Sequence, residues 1–321
     1  MRTYILRRLL QAIPLLLGIS ALTFLLIKLT PGDFLNTIAE NPMVSADQID
    51  AMRHRFGLDR PWPVQYAIYL RNIFLRGDFG DSFSFHQKVA VVIRAGLLNT
   101  LVLASAAALV TWLLAIPLGV AAAVRQYSWL DKALGVFGVI GLSVPEVLSG
   151  LLLLMLAVRI GWPVGGMHSL DYDAMDPIGK AIDALKHLAM PAIVVGLTPL
   201  AGRMRQMRGN LLDVLRLDYV TTARAKGLDE RAVVYKHAVR NAINPLITLF
   251  GFTLGALVSG SLVAEIIFAW PGLGRITFEA ISTKDQYLVM GAVNMAALVL
   301  ILGNLVADLL LAVADPRIAY D

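Results

Sequence analysis

Residues 98–124 read LNTLVLASAAALVTWLLAIPLGVAAAV, 27 positions without an Asp, Glu, Lys or Arg. A helix needs roughly 20 mostly apolar residues to cross a ~30 Å hydrocarbon core, and this stretch exceeds that length. Within hydrocarbon every backbone polar group has to be satisfied internally, so the stretch reads as a spanning helix. Working outward, five further segments qualify: Leu9–Leu29, Ala133–Ile160, Leu188–Gly202, Leu246–Ala269 and Val289–Val313. Leu188–Gly202 is the weakest, being short and holding Pro191 and Pro199; it is kept because an odd number of crossings would put basic segments on both sides. Pro14, Pro117 and Pro145 lie within spans, where neighbouring helices satisfy the backbone groups a proline frees.

Composition agrees. Of 321 residues 57% are hydrophobic and 16% charged, with a mean hydropathy of +0.68, against ~45–50% and ~25% in a soluble domain. A water-soluble enzyme is thereby excluded. There is no cysteine, hence no disulfide frame, no thiolate nucleophile and no Cys-ligated metal site. The first span follows a basic start, Arg2, Arg7 and Arg8, but is too long for a signal-peptide core and ends in Lys28-Leu29-Thr30-Pro31 without a small-residue cleavage site, so it is expected to remain as an anchor.

Lys and Arg concentrate on cytoplasmic loops. With the N-terminus inside, those loops hold Arg2, Arg7, Arg8, Arg125, Lys132, nine basic residues from Arg203 to Arg240, and Arg317; the short outer loops hold Lys180, Lys186, Arg275 and Lys284. Residues 30–95 carry seven basic and seven acidic side chains. The expected fold is thus an all-α integral membrane protein of six spans with both termini cytoplasmic. Its parts are an N-terminal segment with the first span (1–29), an extracytoplasmic segment (30–95) and a five-helix region (96–321) that includes a cytoplasmic loop, 203–244. Topology accounts for the net charge of +5; a nucleic-acid partner would need a basic face on a soluble module, and none is present.

In the outer segment Ser45-Ala46-Asp47-Gln48 forms a capping box that opens a helix with Ile49, Met52 and Phe56 on one side, stopped by Gly57. Pro61–Leu75 reads as a second amphipathic helix with Trp62, Tyr66, Tyr69, Ile73 and Phe74 suited to an interface. It serves as a cap over the spans, as a docking surface for an external partner, or as both. In the cytoplasmic loop, Asp218 is expected to cap a short helix, Tyr219–Lys226, stopped by a left-handed Gly227 followed by Leu228. Asp229-Glu230 opens the next helix, with Arg231, Lys236, His237 and Arg240 further on, as the helix dipole prefers. The short helix presents Tyr219, Thr222, Ala223 and Lys226 to a partner, or merely joins two spans.

Catalytic motifs are absent. No G-x-x-x-x-G-K-[ST], H-E-x-x-H or G-x-S-x-G occurs, and none of His54, His86, His168, His187 and His237 pairs at helical ligand spacing. Gly272-Leu273-Gly274 is a turn after Trp270-Pro271, not a dinucleotide fingerprint. Ionisable groups within spans are functional candidates by default: Glu146, Glu265 and Asp308, the last accompanied by Asn294 and Asn304. They line a pathway or hydrogen-bond between helices, and their unequal depths suit a proton relay poorly. Arg159 lies near an outer boundary and snorkels. Gly135, Gly138 and Gly141, and Gly251 and Gly255, permit close helix crossing.

The loop Asp218-Tyr219-Val220-Thr221-Thr222-Ala223-Arg224-Ala225-Lys226-Gly227-Leu228, followed by His237-Ala238-Val239-Arg240-Asn241-Ala242 and Pro245, resembles the EAA loop of binding-protein-dependent ABC importer permeases. The likeness is greatest to the peptide/nickel branch, the B-type subunits of dipeptide and oligopeptide permeases. It extends over nearly the whole chain through Arg7-Arg8, Thr30-Pro31-Gly32-Asp33, Gly57-Leu58-Asp59, Gly77-Asp78-Phe79-Gly80, Asn99-Thr100, Pro271-Gly272-Leu273-Gly274-Arg275 and Asp315-Pro316-Arg317. Thr221-Thr222-Ala223 stands where the broad pattern has Glu-Ala-Ala, and Val239-Arg240 replaces its Leu-Pro.

The resemblance implies a type I importer permease fold. Asp218, Tyr219, Thr222, Ala223, Ala225, Lys226, Gly227 and Leu228 would form a coupling helix seated in a groove of an ATPase subunit. It also implies a homologous second permease chain, two ATPase subunits that bind ATP and magnesium, an extracytoplasmic solute-binding protein and a di- or oligopeptide substrate. The chain itself would hold no catalytic residue, cofactor or metal. Asn99, Glu146, Glu265, Asn294, Asn304 and Asp308 are the polar candidates for the pathway or for helix packing. Nickel is the second substrate reading, and the scarcity of His and acidic groups weighs against a bare ion. A proton-coupled secondary transporter would show midplane ionisable groups and an internal repeat, and an intramembrane enzyme a nucleophile–base pair; neither pattern is found.

Overall fold

A computed structural model describes residues 2–32, 34–39, 45–247, 249–250 and 261–314. Among the described residues the chain is helical, with one isolated β-bridge, Asp81–Lys88. It divides into two compact units, Met1–Thr100 with Pro271–Ile301, and Leu101–Trp270 with Leu302–Tyr320.

In the first unit α1 (Arg2–Leu29) turns Leu6, Leu10, Ile13, Leu22 and Leu26 outward, the lipid-facing pattern of a span. After α2 (Phe34–Ala39) comes α3 (Ala46–Phe56), opened by the expected capping box: the Ser45 Oγ accepts from the Gln48 N–H at 3.3 Å and the Gln48 Oε1 accepts from the Ser45 N–H at 3.0 Å. Gly57, at φ +66°, closes it in the left-handed region that glycine enters without a Cβ clash. The next helix, α4 (Trp62–Arg76), packs by Tyr66, Tyr69, Leu70 and Ile73 around Phe24 and Met290, and the Tyr66 hydroxyl donates to the Leu17 carbonyl at 3.3 Å.

The start of α5 (Val89–Val124), α12 (Leu273–Ser282) and the start of α13 (Gln286–Ala314) share a core of Val89, Ile93, Leu273, Ile276, Ala280, Leu288 and Ala292. A Cβ at Gly291 would stand 2.7 Å from Ile93 and from Val89, so only glycine allows α13 that approach. Asp285 is fully buried and caps α13. Its carboxylate accepts from the Ser82 hydroxyl (2.7 Å), the Ser84 N–H (3.0 Å) and the Leu288 N–H (3.2 Å), which ties the 82–85 turn to that helix.

The second unit holds the rest of α5, α6 (Trp129–Ser143), α7 (Glu146–Arg159), α8 (Pro177–Val214), α9 (Asp218–Ala225), a π-helical turn (Ala232–Ala238), α10 (Val239–Ala242) and α11 (Leu262–Ile267). Glycines set the crossings. A Cβ at Gly119 would meet the Met204 carbonyl oxygen at 2.7 Å, and one at Gly141 the Ala201 methyl at 2.9 Å. Gly138 likewise faces Arg205, whereas Gly135 faces nothing within 4 Å. Gly251 and Gly255 lie outside the described residues.

Among the described residues four helices are long and apolar enough to cross a membrane: Tyr4–Leu29, Val89–Val124, Pro177–Val214 and Gln286–Val306. The expected weak fourth span is part of the 38-residue α8, unbroken by Pro191 or Pro199. The expected third span, Ala133–Ile160, is not one rod: α6 and α7 meet at a break bent by 110°. Pro145 lacks an N–H and disfavours helical geometry in the residue before it, and Val144 is extended at φ −78°, ψ 123°. Pro14 and Pro117 stand in apolar Ala-Ile-Pro-Leu runs that their helices absorb, whereas Pro145 is flanked by Ser143 and Glu146. The remaining expected span, Leu246–Ala269, runs through residues 251–260, which lie outside the described residues, as do Asp33 and Asp315-Pro316-Arg317.

Candidate functional site

The loop singled out by the sequence begins where α8 ends. Leu217, extended at ψ 148°, precedes α9, and Asp218 is the first helical residue rather than the cap. No side chain caps this end; the Asp218 carboxylate still lies at the positive end of the dipole. The helix runs Asp218–Ala225, one residue ahead of expectation, and closes in a Schellman turn. The Gly227 N–H donates to the Arg224 carbonyl at 2.9 Å and the Leu228 N–H to the Ala223 carbonyl at 3.4 Å, with Gly227 at φ +78°.

Two side chains seat α9. Val220 (0% exposed) and Ala223 (7%) enter a cluster with Val120 and Ala123 of α5, Met207 and Leu211 of α8, and Val233, Ala238 and Ala242 beyond the glycine. Asp218, Tyr219, Thr222, Ala225, Lys226, Gly227 and Leu228 are all exposed. Seven of the eight residues assigned to docking thus share an accessible surface, while Ala223 faces the chain's own core. It seats the helix and is not available to a partner.

Polar links hold the loop in place. Arg224 donates to Glu230 at 2.7 Å (Nη2) and 3.1 Å (Nε). The hydrogen bond from Arg224 holds the Glu230 carboxyl below its ordinary range and raises the guanidinium in turn. Asn241 Nδ2 donates to the Tyr219 hydroxyl at 2.9 Å, and the Asp229 carboxylate accepts from the Arg231 N–H at 3.0 Å. Asn210 Nδ2 donates to the Ala242 carbonyl at 3.2 Å. Below the loop, Arg208 makes a bidentate pair with the buried Asp131 (2.6 and 2.8 Å), which also accepts from the Tyr127 N–H at 2.9 Å. Neither this pair nor the π-helical turn has a signature in the sequence. Residues 131 and 208 are 77 apart, and no local spacing announces their meeting.

The polar candidates within spans occupy distinct local settings. Asn99 Nδ2 donates to the Pro271 carbonyl at 2.9 Å, and Asn294 Nδ2 to the Met290 carbonyl of its own helix at 2.7 Å. Glu265 is fully buried and accepts from the Ser261 hydroxyl at 2.8 Å. Asp308 is buried and Asn304 exposed. Glu146 is the first residue of α7, at the break, with its Oε1 buried and without a hydrogen-bond partner.

Long apolar helices, one broken at its proline, and a short helix seated across the ends of two others define a polytopic helical membrane protein. Residues 115–320 match the family model of the binding-protein-dependent transport system inner membrane component, and residues 1–104 that of the N-terminal part of such membrane components. The chain is 40% identical over 323 residues to the oligopeptide transport system permease protein AppB of Bacillus subtilis, with 100% of both chains covered. It is 36% identical over 339 residues to the dipeptide transport system permease protein DppB of Escherichia coli K12, covering 100% of this chain and 99% of that one. Among solved structures it matches the inward-facing MetNI methionine ABC transporter at TM-score 0.50 and 17% identity, over 69% of this chain and 97% of that one. That likeness is one of fold, the type I importer permease. The chain belongs to the family of binding-protein-dependent transport system inner membrane components: it is a multi-pass inner-membrane permease.

Proposed function

We propose that this chain is one of two membrane subunits of an ATP-driven importer of di- and oligopeptides, and that α9 couples it to the ATPase. The observation that carries this reading is the division of labour on α9 and its closing turn: Val220 and Ala223 anchor it to α5 and α8, while Tyr219, Thr222, Ala225, Lys226, Gly227 and Leu228 are exposed. A helix presented this way fits a groove on a second protein, and its seat lets a push on α9 reach two spanning helices directly. The loop faces the cytoplasm in this reading. ATP and magnesium are held by two ATPase subunits, since the chain carries no phosphate-binding loop. An external solute-binding protein delivers cargo, and the names of AppB and DppB favour a peptide.

The test is site-directed cross-linking, for which a chain without cysteine is a clean background. Cysteine at Lys226 or Thr222 is expected to cross-link to the ATPase subunit in the assembled complex, and cysteine at exposed Val136 of α6 is not. Equal yields at all three positions, or none at the first two, contradict the docking role.

A further inference from the structure

The connection from α5 to α6 reads Arg125-Gln126-Tyr127-Ser128, and α6 opens on Trp129-Leu130-Asp131-Lys132. Tyr127 is 75% exposed and Trp129 82%, the two most exposed aromatic side chains among the described residues. Arg125 and Lys132 are exposed as well, and among the described residues neither makes an ion pair. The one acidic group of the turn, Asp131, is buried and paired with Arg208. What the turn offers to its surroundings is therefore two aromatic rings and two positive charges.

The turn is fixed by the chain behind it. Tyr127 stands at φ +66°, where a bulky L residue seldom goes, and its N–H donates to the Asp131 carboxylate at 2.9 Å. That carboxylate is held in turn by Arg208 of α8 at 2.6 and 2.8 Å. The Ser128 N–H donates to the Arg125 carbonyl at 3.1 Å, and the Ser128 hydroxyl accepts from the Asp131 N–H at 3.3 Å. A buried ion pair thus keeps a strained residue whose ring stays in the open.

Position along α6 says what meets the turn. Trp129, Lys132, Val136, Val139 and Ile140 are all exposed and stand at i, i+3, i+7, i+10 and i+11, one stripe of the helix. Val136, Val139 and Ile140 are apolar, as on a helix side turned to lipid. At 1.5 Å per residue Trp129 lies about 10 Å beyond Val136 along the axis, where such a stripe passes from acyl chains to headgroups. Trp and Tyr, apolar in the ring and polar at the tip, concentrate at that level, and basic side chains there attract anionic lipid. Both exposed charges have one sign, and the stripe runs unbroken into the apolar residues; a bilayer surface fits both features better than a protein groove does. α9 packs against Val120 and Ala123, within two turns of this connection, so the leaflet concerned is the one on the α9 side.

We infer that the 125–132 turn docks on anionic phospholipid headgroups of the leaflet on the α9 side, Arg125 and Lys132 pairing with the phosphates while Tyr127 and Trp129 sit at headgroup level. The inference depends on neither the cargo nor the docking of an ATPase.

The experiment is fluorescence quenching on the assembled transporter in phosphatidylcholine nanodiscs. Part of the lipid is replaced by phosphatidylglycerol or phosphatidylcholine brominated near the glycerol end of the acyl chains. The Trp129 signal is the difference between the parent and Trp129→Phe. Both brominated lipids are expected to quench it, with half-quenching at about fivefold lower mole fraction of brominated phosphatidylglycerol. Arg125→Gln combined with Lys132→Gln is expected to abolish that preference at unchanged thermal unfolding, while quenching by phosphatidylcholine remains. Raising the salt concentration on the parent is expected to shrink the preference too, a reading that needs no variant. Equal quenching by the two lipids overturns the proposal, as does a preference that survives the double substitution or does not fall with salt. A Trp129 signal that neither lipid quenches overturns it as well; if the same signal is quenched in the isolated chain, a partner subunit covers the turn.

Discussion

Ala223 and Lys226 are three positions apart in one short loop and do opposite things. Ala223 is 7% exposed and fills a seat between the ends of α5 and α8; Lys226 is exposed at the Schellman turn. Ala223→Arg is expected to lift α9 from its cluster, lowering the Tm of the isolated chain as well as abolishing stimulated ATP hydrolysis in the complex. Lys226→Glu is expected to leave the Tm and the assembly of the complex unchanged while abolishing stimulation by loaded binding protein. If both variants melt like the parent, Ala223 does not seat the helix. At Gly227, φ is +78° and a Cβ would meet nothing within 4 Å, so the cost of Gly227→Ala is conformational. That cost is about 1 kcal/mol, which should read as roughly fivefold faster amide exchange over 218–228.

The Arg224–Glu230 link carries a pH sign. Its carboxyl titrates lower in the folded loop than in the unfolded chain, so its contribution is complete above the ordinary glutamate range and is lost as pH falls through the folded value. Exchange protection of 218–231 is expected to be flat around neutrality and to fall in acid, and Glu230→Gln should remove that acid limb. A protection profile that changes near neutrality instead would implicate another group.

Among the elements, the capping box of α3 and the glycine stops were legible because their signals are local, whereas the expected Asp218 cap is the first residue of α9. The capping box at Ser45–Gln48, the glycine stops at Gly57 and Gly227, and the apolar runs each need only a few neighbouring residues to be read. What escaped was non-local or competitive. The break at Val144–Pro145 reads from the sequence as one more tolerated proline, because neighbouring helices can satisfy the backbone groups a proline frees within a span. The polar residues Ser143 and Glu146 beside Pro145 are the local difference from the Ala-Ile-Pro-Leu runs of Pro14 and Pro117. The buried Asp131–Arg208 pair and the cap of α13 by Asp285, which reaches back 203 residues to Ser82, arise only from the packed chain.

The break has a direct measure. At 1.5 Å rise per residue, a straight helix would place residues 136 and 155 about 29 Å apart, and a 110° bend at Pro145 brings them to about 16 Å. Spin labels at Val136→Cys and Met155→Cys, both on exposed side chains, should report the shorter separation. Pro145→Ala is expected to lengthen it by letting Val144 rejoin the helix. A long separation in the parent protein would restore the single rod read from the sequence.

For the molecule as a whole, composition and the basic loop sufficed to place the chain in a membrane and to single out residues 203–244. The accessibility of the loop was legible in outline. Seven of eight named loop residues are accessible, and the eighth was misread because a small residue on a short helix serves equally as a contact or as a seat; only the packed neighbours Met207, Leu211 and Val233 decide. The six polar residues within spans share no common local setting, which favours helix packing over a proton relay for most of them. Of the six, Glu146 combines the break with an unpartnered buried oxygen. Glu146→Gln is expected to preserve folding, and a change in peptide uptake with unchanged Tm would place it on the pathway.

If α9 transmits ATPase work to the spanning helices of a peptide importer, blocking its contact should stop transport without unfolding the chain. Peptide uptake into proteoliposomes that hold this chain, a second permease chain and the ATPase subunits reads this out. Peptide-loaded binding protein is supplied outside, and uptake is followed for the parent and for Lys226→Glu. The parent is expected to take up peptide in an ATP-dependent manner. The variant is expected to assemble and hydrolyse ATP at its basal rate, but to gain no stimulation from loaded binding protein and to accumulate no peptide. Uptake by the parent without any ATPase subunit, or undiminished stimulation and uptake in the variant, would refute the coupling role of α9.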